Sequence, residues 1–356
     1  MTHYTSALSQ GSQRKGTAMR TFTIAFLFFA LAIFAATTPI LSDCVPVPET
    51  DSELIVDPVA TAAMSKAKLE AGELFSVMRI VSQYETGGCW AGATGNSDGQ
   101  WLSVGVMQWN FRQKSLQPLL RRFREKFPTQ ADFIRERNRL MPQFGKELFS
   151  PSCRAVPLGL NCGKFLENQY VGANKGLSPE LKSEVDNLFN SLVMRQIQVD
   201  YFARNLTRVL DDLERIFGAT EPAAWQVAWA MDLKTQQNRF PADASIKRIR
   251  EELSQQGLGK RRERLDGIIE WYHGLCKSGN AEGVQHDCDY NRDAWHDQIE
   301  NHYPTRDREE AVHFTHLVSR TAQNKEGQYQ ADAFQRRATI AFGKGSVHGH
   351  RVNFLR

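Results

Sequence analysis

Leu74–Asn110 reads LFSVMRIVSQYETGGCWAGATGNSDGQWLSVGVMQWN. Leu74, Met78 and Val81 recur at steps of four and three, so they share one face of a predicted helix. The next step of four is Glu85, and Gly87 and Gly88 end the helix just beyond it. The pattern therefore predicts a carboxylate at the C-terminal end of a core-facing stripe. Glycines, three tryptophans and a second acid, Asp98, follow within twenty-five residues.

This grouping has a chemical use. Tyr84 and Trp90 give Glu85 apolar neighbours, the setting in which a carboxyl keeps its proton. A carboxylic acid at working pH is what cleavage of a glycosidic bond needs, because the leaving oxygen must receive a proton. Asp98 lies in the polar, glycine-flanked GNSDGQW, where an acid stays ionised and can support an oxocarbenium-like centre or orient water. Trp90, Trp101 and Trp109 offer flat faces for sugar rings, and Gln108 and Asn110 offer amides for hydroxyl or N-acetyl groups. A rival second acid sits in AAWQVAWAMDLKTQQNRF, where Trp225, Trp229 and Asp232 share a helix face. The plainer interpretation is a core helix with two packed tryptophans. The functional one brings Asp232 to a cleft, with Gln236 and its neighbours Gln237 and Asn238 touching sugar.

A glutamate that ends a helix, then ETGG, then GVMQ twenty residues after the glutamate, resembles the lysozyme superfamily, in particular goose-type lysozymes and soluble lytic transglycosylases. The resemblance covers roughly residues 74–120. It implies Glu85 as catalytic acid and Asp98 as an auxiliary aspartate, and it matches Gly105 and Gln108 to the glycine and glutamine of the motif. Thr86 replaces the usual serine, Val106 a leucine, and Asn110 a second acid. Loss of that acid puts more of the work on Glu85, as in lytic transglycosylases, where one carboxyl serves as acid and then base. The implied fold is mainly α, of the lysozyme-like α+β kind.

Residues 21–42, TFTIAFLFFALAIFAATTPILS, contain no charged residue and follow Arg14, Lys15 and Arg20. This is either a cleaved signal peptide, with Met19 as the start, or an uncleaved membrane anchor. Both place the rest of the chain outside the cytoplasm, periplasmic or extracellular. Cys44 resembles a lipoprotein site, but Asp43 occupies the position that needs a small residue. Six cysteines suit an oxidising compartment. Cys153 with Cys162 and Cys276 with Cys288 each bracket a short loop, and closing such a loop is worth about 2–3 kcal/mol. Cys44 and Cys89 are left over.

The predicted organisation is a basic segment (1–20), the apolar segment (21–42), a proline-bearing linker (43–64) and one helical catalytic domain (65–356). Helices are predicted at Leu116–Phe127, Leu181–Phe217 (one or two), Ala223–Gln236, Ser245–Gln256 and Arg308–Thr321, with a strand in ATIAFGKGSV. The formal charge of +4 is too small to suggest nucleic acid, but suits an anionic polymer such as a bacterial wall. Arg336, Arg337, Lys344, His348 and Arg351 surround three glycines near the C-terminus, either as an anion cradle or as a solvated hairpin. His313 and His316 lie one helical turn apart with no glutamate between them, which favours an exposed pair over a metal site. No metal or cofactor is expected.

The expected substrate is the β-1,4-linked amino-sugar strand of peptidoglycan. The alternatives are chitosan or chitin, and a catalytically silent wall-binding module. An antibacterial effector would use the same chemistry against another cell.

Overall fold

The computed structural model describes residues 44–97, 99–237, 240–278, 285–321 and 328–354, and every structural statement here refers to them. They form a mainly helical unit, as the sequence predicts. The apolar segment 21–42 lies outside these residues, and among the described ones no helix is long and apolar enough to cross a membrane.

The chain begins with α1 (Pro58–Ala67) and α2 (Ala71–Thr86), then the short strands β1 (Ser103–Val104) and β2 (Trp109–Asn110). Five helices follow: α3 (Leu116–Glu125), α4 (Gln130–Leu140), α5 (Gly145–Leu148), α6 (Pro151–Arg154) and α7 (Leu160–Glu167). After the pair β3 (Tyr170–Val171) and β4 (Gly176–Leu177) come α8 (Pro179–Asn190), α9 (Leu192–Phe217), α10 (Ala224–Gln236) and α11 (Asp243–Gln255). The last elements are α12 (Leu258–Ser278), α13 (Gln285–Asn301), α14 (Arg306–Ser319), α15 (Gln328–Phe342), β5 (Lys344–Val347) and β6 (His350–Asn353). Each strand pair is an antiparallel hairpin.

Local chemistry sets the helix ends. Asp57 caps α1 through Val59 N–H at 2.9 Å, with Pro58 in the first turn. Glu70 and Glu73 form a reciprocal cap at the start of α2. Ser191 ends α8 and caps α9, which resolves the long predicted segment into two helices. Packing then centres on α10, whose residues Gln226–Leu233 are all buried. It touches α2, α9 and α15, so it is a core helix rather than an amphipathic surface one. Trp229 is fully enclosed and donates from its indole nitrogen to Thr315 Oγ1 at 2.9 Å.

Several expectations need correction. Residues 44–64 are folded rather than a linker: Cys44 is bonded to Cys89, Pro46 bridges to Cys89, and α1 packs along α9. Their prolines start a helix and flank a bridge instead of keeping the chain extended. The other two disulfides join the predicted pairs, Cys153–Cys162 and Cys276–Cys288. The C-terminal strand starts only at Lys344, because the apolar residues before it complete α15.

The histidine pair is not on an exposed face. His313 is 3% exposed, its Nε2 has no partner among the described residues, and burial pushes its pKa down to about 3. His316 lies edge-on to Trp271, and burial pushes it down to about 4. A histidine that refuses a proton when folded supports stability above its unfolded value of about 6.5, and that support fades as the pH falls toward the folded value. Stability should therefore decline on acidification below about pH 6.5, His313 contributing at most about 1.4 kcal/mol per pH unit. Urea unfolding at pH 7, 6, 5 and 4 should give a flatter decline for His313→Leu, and an unchanged slope would refute this origin.

Candidate active site

Glu85 sits in the last turn of α2, where Gly87 stops the helix with φ +67° and gives its N–H to Ser82 O. Thr86 bonds through Oγ1 back to Ser82 O at 3.1 Å and forward to Cys89 O at 2.5 Å. The glutamate is thus delivered by a rigid helix end rather than by a loop.

The GVMQ segment forms the turn of the β1–β2 hairpin, with Val104 paired to Trp109 and Ser103 to Asn110. Gly105 has φ +86°, and a Cβ there would lie 2.7 Å from Gln198 Oε1 and 2.8 Å from the Trp109 ring. Only glycine fits. Gln198 Oε1 accepts from Val106 N–H at 3.1 Å and so anchors the turn from α9. Gln108 reaches back to the segment after Glu85: its Nε2 donates to Gly92 O at 3.1 Å, and its Oε1 receives Thr94 Oγ1 at 3.2 Å. Asn110 steadies the next turn, accepting from Gln113 N–H at 2.8 Å.

Between these parts and α15 lies a cleft of about 650 Å³. Two carboxylates line it, Glu85 and Asp332. Most of the remaining lining is amide and hydroxyl: Gln100, Gln108, Asn110, Gln113, Gln236 and Gln237, with Thr94, Ser103, Thr235 and Thr321. Such a wall offers many directional donors and acceptors and no cation, which suits a neutral polyhydroxylated ligand.

Behind the cleft is a charge cluster. Asp232, 0% exposed, accepts from Arg336 Nε at 2.8 Å and from Arg337 Nε at 3.0 Å. Arg336 also donates from Nη2 to Glu85 Oε1, and its guanidinium lies over the Tyr84 ring at 5.3 Å. The buried Asp232 and the half-buried Glu85 face two buried arginines, and Coulomb attraction to Asp232 and Glu85 holds Arg336 charged despite its burial. Glu85 Oε2 has no hydrogen-bond partner among the described residues. Asp332 is bonded to His348 Nε2 at 2.7 Å. Burial pushes the Asp332 carboxyl up, but the His348 hydrogen bond and the Arg336 and Arg337 charges outweigh it, leaving it below the usual range. The same bond raises His348.

Of the sequence-predicted residues, Glu85, Gln108, Asn110, Gln236 and Gln237 share the cleft. Asp98 lies outside the described residues. Asp232 is buried against two arginines, so the core-helix interpretation holds for it and access to substrate does not. Trp90 (0% exposed) and Trp109 (4%) do not line the cleft, because the segment after α2 and the hairpin turn inward and pack their rings in the core, with Trp109 showing only an edge to the neighbouring depression. Trp101 is half-buried and is absent from the cleft lining. The apolar pocket expected around Glu85 contains a guanidinium instead.

The C-terminal cradle does not form. Arg336 and Arg337 belong to α15 and point into the core, Lys344 pairs with Asp297 at 3.6 Å, and Arg351 lies over Tyr290. Asp332 and His348 were not singled out as a pair. The sequence signal for the pair is Asp332 one helical turn before Arg336, which the basic, glycine-rich residues after it obscure. Among the described residues no group of three or more potential metal ligands converges. Comparison with known protein families, curated proteins and solved structures finds no match.

Proposed function

We propose that the chain is an exported glycan-cleaving enzyme acting on the amino-sugar strand of peptidoglycan, with a lysozyme-like catalytic core. The observation that carries this is the two carboxylates in one cleft whose remaining wall is mostly amides and hydroxyls. Glu85 is the proton donor to the glycosidic oxygen, and Asp332, kept ionised by His348, is the second carboxylate. That second role was expected of Asp98 or Asp232. Gln108, Asn110 and Gln236 contact the sugar. The likeness of residues 74–120 to goose-type lysozymes and lytic transglycosylases supports the same assignment, and three disulfides support export.

Arg336 must release Glu85 for proton donation. It already donates from Nε to Asp232 at 2.8 Å and keeps Nη2 within 2.6 Å of the same carboxylate, so it can withdraw without becoming an unpaired buried charge. The same contact favours a second reading, a wall-binding module whose glutamate stays clamped. Mass spectrometry of soluble fragments released from purified sacculi separates these. Fragments with reducing ends indicate hydrolysis with water activated by Asp332, whereas fragments lighter by one water indicate lytic transglycosylation by Glu85 alone. Binding without release of fragments refutes the enzyme.

A further inference from the structure

A second depression of about 540 Å³ adjoins the cleft and shares Met107, Gln108, Gln113 and Thr235 with it as lining. Its charge is the reverse of the first. Lys114, Arg204, Arg208 and Lys234 line it, and no carboxylate does. Arg204 is paired with Asp200 at 3.2 Å. Lys114, Arg208 and Lys234 have no carboxylate partner among the described residues; Arg208 bonds only the amide oxygen of Asn205, at 3.2 Å. These cations come from three separate elements: the segment after the β1–β2 hairpin, α9 and α10. Gathering like charges around one depression costs self-repulsion, which Asp200 offsets for Arg204 but no carboxylate offsets for the other three among the described residues, and it focuses a positive potential there.

We infer that this basic arm binds the anionic substituents of the polymer whose backbone enters the neighbouring cleft. The inference rests on the proposed function and sharpens it. The sugar strand lies along the amide-lined arm, and its negative groups, peptide-stem carboxylates or phosphates of an attached wall polymer, reach across Gln108 to Lys114, Arg208 and Lys234. A cationic glucosamine polymer is repelled by the same arm, so chitosan is disfavoured as substrate.

The test measures both binding and cleavage, using the full chain and three preparations of peptidoglycan: intact, stripped of peptide stems by an amidase, and stripped of phosphate polymers by acid. Binding is followed by co-sedimentation with the Glu85→Gln protein, which leaves the polymer uncut, and cleavage with the unmodified protein. Removing the relevant anion should weaken binding about tenfold, the scale of a few exposed charge contacts acting together. Loss on amidase treatment assigns the arm to carboxylates, and loss on acid stripping assigns it to phosphates. The variant K114Q/R208Q/K234Q, neutral and on exposed or half-exposed positions, should bind all three preparations alike, with its circular dichroism and unfolding midpoint unchanged. A double variant, K114Q/R208Q, gives the same readout if the triple one folds poorly. Equal binding of all three preparations by the parent protein, or an anion preference retained in a folded neutral variant, overturns the inference. Anion-dependent binding without cleavage leaves the arm standing and refutes the enzyme, whereas cleavage indifferent to the anions does the reverse.

Discussion

Glu85→Gln should lower the release of soluble fragments from sacculi by about 10²–10⁴-fold, the range that a positioned proton donor contributes. The substitution keeps the size and hydrogen-bonding reach of the side chain and removes the transferable proton. It also removes one of the two carboxylates that face Arg336, but Asp232 retains that arginine through two short contacts. The variant should therefore fold and still bind the polymer. Circular dichroism and co-sedimentation check those two points, and initial rates of fragment release check the first. Asp332→Asn separates the chemistry further. Under hydrolysis it should also remove most activity, while under lytic transglycosylation it should leave the anhydro product. Full activity in Glu85→Gln would end the assignment of this residue as the acid.

The second large effect is on stability. Asp232 is fully enclosed and accepts from both Arg336 and Arg337, which are themselves buried. Asp232→Asn removes the one carboxylate that both guanidinium groups touch and leaves them in the core with Glu85 against Arg336 and Asp332 as a more distant charge. Breaking a buried pair from one side costs about 3–5 kcal/mol, because the remaining charge cannot recover its hydration. Urea unfolding at neutral pH should show a loss of that size. A catalytic Asp232 would behave in the opposite way, with activity gone and the unfolding midpoint intact. A loss below about 1 kcal/mol would place Asp232 outside the charge balance described here.

The part of this architecture that was legible in the sequence is the part held by neighbours along the chain. The stripe Leu74, Met78, Val81, Glu85 and the glycines after it lie in one helix and its stop, so period and capping reveal them. Gly105 was readable as a motif position because its reason is a local turn. The helices α4 and α13 are hard to read because charged and polar residues occupy most of their length, which dilutes the apolar period. The tryptophans misled, because an aromatic ring serves a core as well as a sugar, and only burial separates the two uses. The contacts that define the site were the least legible. Arg336 meets Glu85 across 251 positions and Asp232 across 104, and no window along the chain spans such distances.

That separation has a consequence for synthesis. A ribosome makes the N-terminal end first, so α2 with Glu85 and α10 with Asp232 exist well before α15 is available. Until then both acids lack the cations they meet in the finished protein, and a partial chain halted before residue 336 cannot close this core without burying a bare charge. Closure of α15 is thus a late event: the cleft acquires its final wall, including Asp332, in the same step that settles the charge beneath it.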